Sequence, residues 1–391
     1  MVMKRKLKNL RLMSSIDPKF GGPNITVISS SLGLSKQGFK VDMLTSDRKN
    51  SNFFKSKKIR IINKGPSIFG RYGISLSFTL WLLKHRHEYD AFIIHGIWMY
   101  TSLIARILLK KKYFVFIHGQ LDPFFGLNLI KKIKKQIYWY LIEKKNLLLS
   151  RSLILTSKGE KKLLNNTFVN TSGIRKTIVR YGINQPRFNK TKALKYFYKK
   201  FPNLKNKRFL LFLGRFHEKK GCDILIKAIK KLSDQNININ VLLAGPNNEY
   251  KKKIMNLSDN YGLKDNIFWS DIILNNLKWG AISASIGMVL PSHSENVGVA
   301  LVESLSCSKP VLTTNKVNIY LEILKFKSGY ISRNETNDYV KILKKFSKLK
   351  KNQLLKFNKN AKKCFKSNFD LSSKENSLAT YLKHEVNKKN E

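Results

Sequence analysis

A chain of 391 residues, 42% of them hydrophobic, is longer than one core usually serves and too apolar for a disordered polymer, so two folded domains are expected. Its 75 Lys+Arg against 24 Asp+Glu give a formal net charge of +51, which favours anionic partners such as nucleic acid, anionic lipid or phosphorylated substrates. Three widely separated cysteines, Cys222, Cys307 and Cys364, argue against a disulfide framework or a zinc cluster and read as reduced cytosolic thiols.

The N-terminus, "MVMKRKLKNLRLMSSIDP", is basic, but its apolar residues are interrupted, so no signal peptide is expected. Within it "NLRLMSS" reads as a strand. A loop with Gly21 and Gly22, a helix from about Asn24 to Lys36 and the strand "KVDMLTS" follow. "YGISLSFTLWLL" falls short of the ~18–20 apolar residues of a membrane span, leaving a soluble or peripheral protein as the expectation. His85 and His87 in "KHRHEYD" lack a third ligand, so no metal site is expected. "YDAFIIHG", "YFVFIHG" and "RSLILTS" read as further buried strands. The stretch "LNLIKKIKKQIYWYLIEKK" reads first as a buried amphipathic helix, with contact to an anionic bilayer as the alternative.

Residues 185–207 are basic, contain proline and show no strand pattern, so they read as a linker. Beyond them "RFLLFLG", "INVLLAG", "NIFWS", "IGMVLPS" and "KPVLTT" alternate with helical segments. Continuous apolar strands alternating with helices imply parallel sheets covered on both faces. The class is therefore α/β: two tandem Rossmann-like doubly wound domains, 1–184 and 208–368, facing a central cleft, with a C-terminal helix in 369–391. Lysines are spread along the chain with many Asn and Ile, a mixture that an A/T-rich coding sequence produces without functional demand.

Open α/β sheets bind ligands beyond the carboxyl ends of their strands, so the loops there carry the candidates. In "FLGRFHEKKGC" a strand ends at Gly214, and Arg215 and Lys220 sit in the loop before a helix. An arginine fork and a lysine point charge can together hold a diphosphate, although a solvated basic loop would look the same. In "PSHSENVGVALVESLSC" the loop carries Glu295 and a helix begins near Gly298, offering unpaired N–H groups and the positive end of its dipole. Glu303 lies more than a turn inside that helix. Each carboxylate can accept two hydroxyl hydrogen bonds, as from a sugar and a ribose. Helix capping and a helix-surface acid are the ordinary alternatives for Glu295 and Glu303.

"GRFHEKKG" followed by "PSHSENVGVALVESLSCSKPVLTT" resembles the retaining glycosyltransferases of family 4, whose GT-B fold has two lobes. "SSIDPKFGGPNITVISSSLGLSKQGFKVDMLTSD", "HGIW", "IHGQLDP" and "LTSKGEKKLL" are similar to the first lobe of that family, in order. The resemblance implies that Gly214, Arg215 and Lys220 bind the donor diphosphate, and that Glu295 contacts the transferred sugar, helped by backbone amides at Asn296, Val297 and Gly298. It implies that Glu303 holds the ribose, that Gly21 and Gly22 let the first-lobe loop approach the phosphates, and that His118 faces the sugar. His95 has weaker support. Tyr181 before Gly182, Val297 and Ser308 depart from the family pattern.

What the resemblance implies is transfer of a sugar from a nucleotide sugar to a glycan or lipid-linked acceptor, as in bacterial surface polysaccharide or glycolipid synthesis. No metal or other cofactor and no specific nucleic acid are expected, and an anionic membrane surface is a further candidate partner. A basic nucleic-acid binder and a sugar-nucleotide epimerase of the same fold are the alternatives.

Overall fold

The computed structural model describes residues 5–18, 22–70, 72–110, 112–123, 129–179, 181–371 and 377–388. The chain divides into two compact units, Met1–Asn184 with Leu371–Glu391, and Gln185–Asp370.

Unit 1 carries seven parallel strands: β1 (Lys8–Met13), β2 (Lys40–Arg48), β3 (Ile59–Gly65), β4 (Ala91–His95), β5 (Tyr113–Phe116), β6 (Ser152–Leu155) and β7 (Lys176–Ile178). Their spatial order is β3-β2-β1-β4-β5-β6-β7. Every residue of β4, β5 and β6 is buried, which accounts for their unbroken apolar runs. Leu10, Leu12, Phe92, Ile94, Val115 and Leu153 of the sheet pack with Phe78, Leu82 and Trp139 of the covering helices. The C-terminal helix Ser377–Asn387 belongs to this unit. Its Glu385 takes Arg175 through two hydrogen bonds of 2.8 and 3.1 Å, and Tyr381 pairs its hydroxyl with Ser152 Oγ at 2.7 Å.

Unit 2 carries six parallel strands: β8 (Phe209–Leu213), β9 (Asn240–Ala244), β10 (Ile267–Ser270), β11 (Gly287–Leu290), β12 (Val311–Thr314) and β13 (Gly329–Ser332). Their order is β10-β9-β8-β11-β12-β13. The α/β class with two doubly wound sheets is thus realised.

Two expectations from sequence are corrected. Residues 185–207 are not a linker. Lys190–Lys200 form a helix that Asn189 caps by accepting from the Lys192 N–H at 2.9 Å. Ala193 and Phe197, four residues apart, are fully buried on its inner face. A Cβ at Gly280 of the helix Asn275–Ala284 would overlap the Ala193 carbonyl oxygen, so only glycine lets those two helices approach so closely. The strand pattern is missing there because the segment has helical periodicity. The second correction concerns helix Leu129–Tyr138, none of whose residues is buried. The residues that follow insert side chains into the core instead: Trp139 and Glu143 of the π-helical turn Trp139–Glu143, and Asn146 and Leu147 of helix Lys144–Leu148.

Candidate active site

In unit 2 the chain leaves β8 toward β9 on one side, and β11 toward β12 on the other, so β8 and β11 flank a topological switch point. In open parallel sheets the crevice beyond the strand carboxyl ends at such a point is where ligands sit. The loop after β8 and the loop after β11 are the two that carry the sequence candidates.

The β8 loop closes in the short 3₁₀ turn Glu218–Lys220, capped by His217, whose Nδ1 accepts from the Lys219 N–H at 3.1 Å. Gly221 then turns the chain into helix Cys222–Ser233 with φ +66°, and a Cβ there would overlap the Pro291 carbonyl oxygen. The position needs glycine on both counts. The two loops are also joined by a hydrogen bond from the His293 N–H to the Lys219 carbonyl, 2.9 Å. His293 is held from its other sides: Nδ1 by Asn334 at 2.8 Å and Nε2 beside Asp223 at 3.6 Å.

Lys220 Nζ donates directly to Glu295 Oε2, so two of the predicted residues form one ion pair. Burial alone would raise the Glu295 carboxyl. The Lys220 charge and hydrogen bond, Lys219 and the Gly298 N–H outweigh it and hold the group below the ordinary carboxylate range. The Glu295 backbone is fixed as well, donating to the Lys316 carbonyl and accepting from the Asn318 N–H, each at 3.0 Å. Gly298, at φ +64°, is the N-cap of helix Val299–Ser306.

Glu303 is buried inside this helix rather than lying on its surface, and its Oε1 accepts from Lys278 Nζ at 2.7 Å. Lys278 also lies over the Trp279 ring, 4.4 Å from its centroid. Sequence reasoning missed Lys278, because "NNLKWGAISA" offers no motif and the pairing joins separate helices. Arg215 is exposed just beyond Gly214 and makes no ion pair with a described residue. Gly214 lacks a left-handed backbone, and a Cβ there would make only an ordinary contact with the Phe212 ring at 3.7 Å. Val297 is buried, whereas Asn296 is partly exposed, its Oδ1 accepting from Asn318 Nδ2 at 3.3 Å. Unit 2 therefore brings Lys220, Glu295, Asn296, Val297 and Gly298 together, with Arg215 at the root of the same loop. Two anion-attracting side chains, a helix N-terminus and the oriented Glu295 carboxylate suit a ligand that combines phosphate with hydroxyl groups.

The remaining candidates lie in unit 1. Gly21 falls outside the described residues, and Gly22 opens helix Gly22–Lys36. His118 has φ +49° just after β5. Its Nε2 pairs with His95 Nδ1 at 3.0 Å and its Nδ1 with the Tyr181 hydroxyl at 3.2 Å, so Tyr181, a departure from the family pattern, occupies one ring nitrogen. Burial and the Arg11 charge push the His118 imidazole down to about 3, so it is neutral at physiological pH. Arg11 was also missed, although a charge inside the run "NLRLM" was a visible anomaly. It is fully buried and donates to the Val27 carbonyl at 3.2 Å and to Ser30 Oγ at 2.6 Å. Among the described residues, no group of three or more His, Cys, Asp or Glu is placed to hold a metal ion.

Residues 187–364 match the family described as glycosyl transferases group 1, and residues 20–186 match glycosyltransferase family 4. An uncharacterised glycosyltransferase of Methanocaldococcus jannaschii is 26% identical over 339 residues, covering 84% of this chain and 85% of the relative. Among solved structures, sucrose-phosphate synthase from Thermosynechococcus elongatus superposes with a TM-score of 0.78 at 18% identity, covering 98% of this chain and 99% of that one. HepE from Anabaena, in complex with UDP-glucose, superposes with a TM-score of 0.70 at 14% identity, covering 98% and 99%.

Proposed function

The chain belongs to the GT-B glycosyltransferases of the family 4 type, and we propose that it transfers a sugar from a nucleoside diphosphate donor to an acceptor hydroxyl with retained anomeric configuration. The observation that carries this reading is the Lys220–Glu295 pair at the switch point of unit 2, beside the N-terminus of helix Val299–Ser306. The resemblance to HepE, whose structure is a complex with UDP-glucose, supports a nucleotide sugar as the donor.

Transfer separates an anionic diphosphate from an oxocarbenium-like sugar. Arg215 and Lys220 supply positive charge to the departing oxygens, and Lys220, already oriented by Glu295, costs little reorganisation as the bond breaks. Lys220 has three N–H donors, so it keeps Glu295 while donating to a phosphate oxygen. Glu295, steadied by Lys220 and the Gly298 N–H, presents its remaining acceptor capacity to sugar hydroxyls. The amides of Asn296 and Val297 and the loop Gly214 follow the same assignment, and Gly21 and Gly22 admit the phosphates. Glu303, steadied by Lys278, accepts from the ribose. In the same-face route the leaving phosphate oxygen takes the acceptor's proton as the new bond forms, so no protein base is required. His118 faces the sugar as a neutral imidazole, and exchanges its His95 or Tyr181 partner for a sugar hydroxyl when the donor binds. No metal or other cofactor takes part in the proposed reaction. The acceptor is a glycan or lipid-linked hydroxyl, in surface polysaccharide or glycolipid synthesis, at the inner face of a membrane.

Arg215→Ala tests the assignment. Arg215 is exposed, so the variant keeps its fold, and kcat/KM should fall by about 10²–10³, the scale for removing one preorganised charge donor. Full activity in a folded variant overturns the diphosphate role. Release of free epimerised donor in the absence of acceptor would favour the epimerase reading instead.

A further inference from the structure

Residues 129–148, "LIKKIKKQIYWYLIEKKNLL", carry six lysines and one acid, Glu143. The segment is one continuous helical rod: helix Leu129–Tyr138, the π-turn Trp139–Glu143 and helix Lys144–Leu148. Its orientation is fixed from within. Trp139 is fully buried, Glu143 accepts from Ser102 Oγ at 2.6 Å and from the Trp98 N–H at 3.3 Å, and Asn146 and Leu147 are buried behind them. With that side committed to the core, Leu129, Ile130, Ile133, Ile137, Tyr140 and Leu141 are left exposed, Leu129 and Leu141 each at 70%. At 100° per residue the four in helix Leu129–Tyr138 occupy an arc of about 100°, flanked by Lys132 on one edge and Lys134 on the other, and Tyr140 and Leu141 of the π-turn add to the exposed apolar surface.

Unit 1 carries a second exposed apolar strip. Phe69 is 72% exposed at the tip of a loop, and Leu76, Leu80 and Leu83 line the outer side of helix Leu76–His85. Tyr72, between them in sequence, ties this strip to the rod through its hydroxyl on Tyr138 at 3.2 Å. Its carbonyl accepts from the Tyr100 N–H at 2.9 Å, and the Tyr100 hydroxyl pairs with Thr79 at 2.6 Å. Exposed apolar area on this scale costs free energy in water and marks a docking surface.

We infer that this face of unit 1 docks on an anionic lipid bilayer, the aliphatic arc and Tyr140 entering the headgroup boundary while Lys132, Lys134 and Lys145 engage lipid phosphates. The order of the side chains carries the choice of partner. An apolar arc edged by lysines matches a surface that is anionic outside and hydrocarbon beneath. Nucleic acid offers the phosphates but nothing for six aliphatic and aromatic side chains. A second copy of a chain with net charge +51 would bring like-charged lysines edge to edge. The surface consists of unit 1 residues alone, includes none of the donor residues of unit 2 and does not rest on the assignment made to them.

The test is flotation of the full-length protein with phosphatidylcholine vesicles and with vesicles containing one part phosphatidylglycerol to two of phosphatidylcholine. The mixed vesicles should bind at least ~10-fold more tightly, since each lysine near such a surface contributes about 1 kcal/mol. Ile133→Glu with Ile137→Glu should weaken that binding by about 10-fold or more, and Lys132→Gln with Lys134→Gln by about 10-fold. Leu355→Glu, at an exposed apolar residue of unit 2, and Arg215→Ala should bind as wild type, and circular dichroism should show every variant folded. Equal binding of wild type and the Ile133/Ile137 variant overturns the inference. So does a dimer in vesicle-free light scattering that the same variant converts to monomer, which would assign the face to self-association.

Discussion

Glu143 shows how a single buried group sets a pH dependence. Burial pushes its carboxyl up to about 7, against hydrogen bonds from Ser102, Asn146 and the Trp98 N–H and the charge of Arg106. In the unfolded chain the group titrates near 4.5. Between these values the folded state holds a proton that the unfolded state has lost, so stability falls as pH rises from about 4.5 to about 7 and is level above. Glu143→Gln, which mimics the protonated form, escapes this loss. It should therefore gain on wild type across that window, by on the order of 1–3 kcal/mol at pH 8. Melting temperatures of both proteins from pH 5 to 8 check it, and parallel curves would refute it. Glu143 was not singled out in the sequence because it sits among lysines, where an acid reads as a surface partner. Glu295 and Glu303 were legible through their spacing around a helix start, but their partners Lys220 and Lys278 were not legible as partners. A chain with lysines nearly everywhere gives no sign of which ones are held.

At the scale of elements, legibility followed burial. β4, β5, β6, β8 and β11 are enclosed on both faces and read as unbroken apolar runs. β3 and β13 are edge strands with partly exposed centres, and "IRIINKG" and "GYIS" have no such run to find. The rod 129–148 was misjudged for a related reason. Its periodicity states that one face is apolar and cannot state whether another part of the chain covers that face. The turn after helix Val299–Ser306 shows a local choice with a measurable cost. Ser308 takes φ +61°, where the family pattern has glycine, and its N–H donates to the Leu305 carbonyl at 3.0 Å. A left-handed backbone costs a residue with a Cβ about 1 kcal/mol. Ser308→Gly should therefore raise the melting temperature by about 2–4 °C in a unit of this size. Gly221→Ala, at φ +66° and facing the Pro291 carbonyl, should do the opposite and lose more than about 2 kcal/mol. Differential scanning calorimetry of the two variants separates the predictions, and a Ser308→Gly protein no more stable than wild type would show that its turn is unstrained.

Across the whole molecule the net charge of +51 acts in two directions at once. The compact state crowds 75 cationic side chains against 24 acidic ones, and their mutual repulsion opposes folding. Helix-surface pairs such as Lys252–Glu249 return little, because exposed ion pairs contribute about 0–1 kcal/mol each. Added salt shortens the screening length from about 10 Å at 0.1 M toward about 3 Å at 1 M, which weakens long-range repulsion more than the short-range pairs Lys220–Glu295 and Lys278–Glu303. Raising NaCl from about 0.05 to about 0.5 M should therefore stabilise the protein by on the order of 1 kcal/mol, about 2–4 °C in melting temperature. The same salt should weaken binding of a diphosphate donor and of anionic vesicles, since both depend on attraction by exposed cations. Thermal melts, donor titrations and vesicle flotation over one salt series follow the two signs together. A melting temperature that falls with salt would mean that attractive pairs outweigh the surplus of lysine, and that the positive surface is held together by its few acids rather than strained by its many bases.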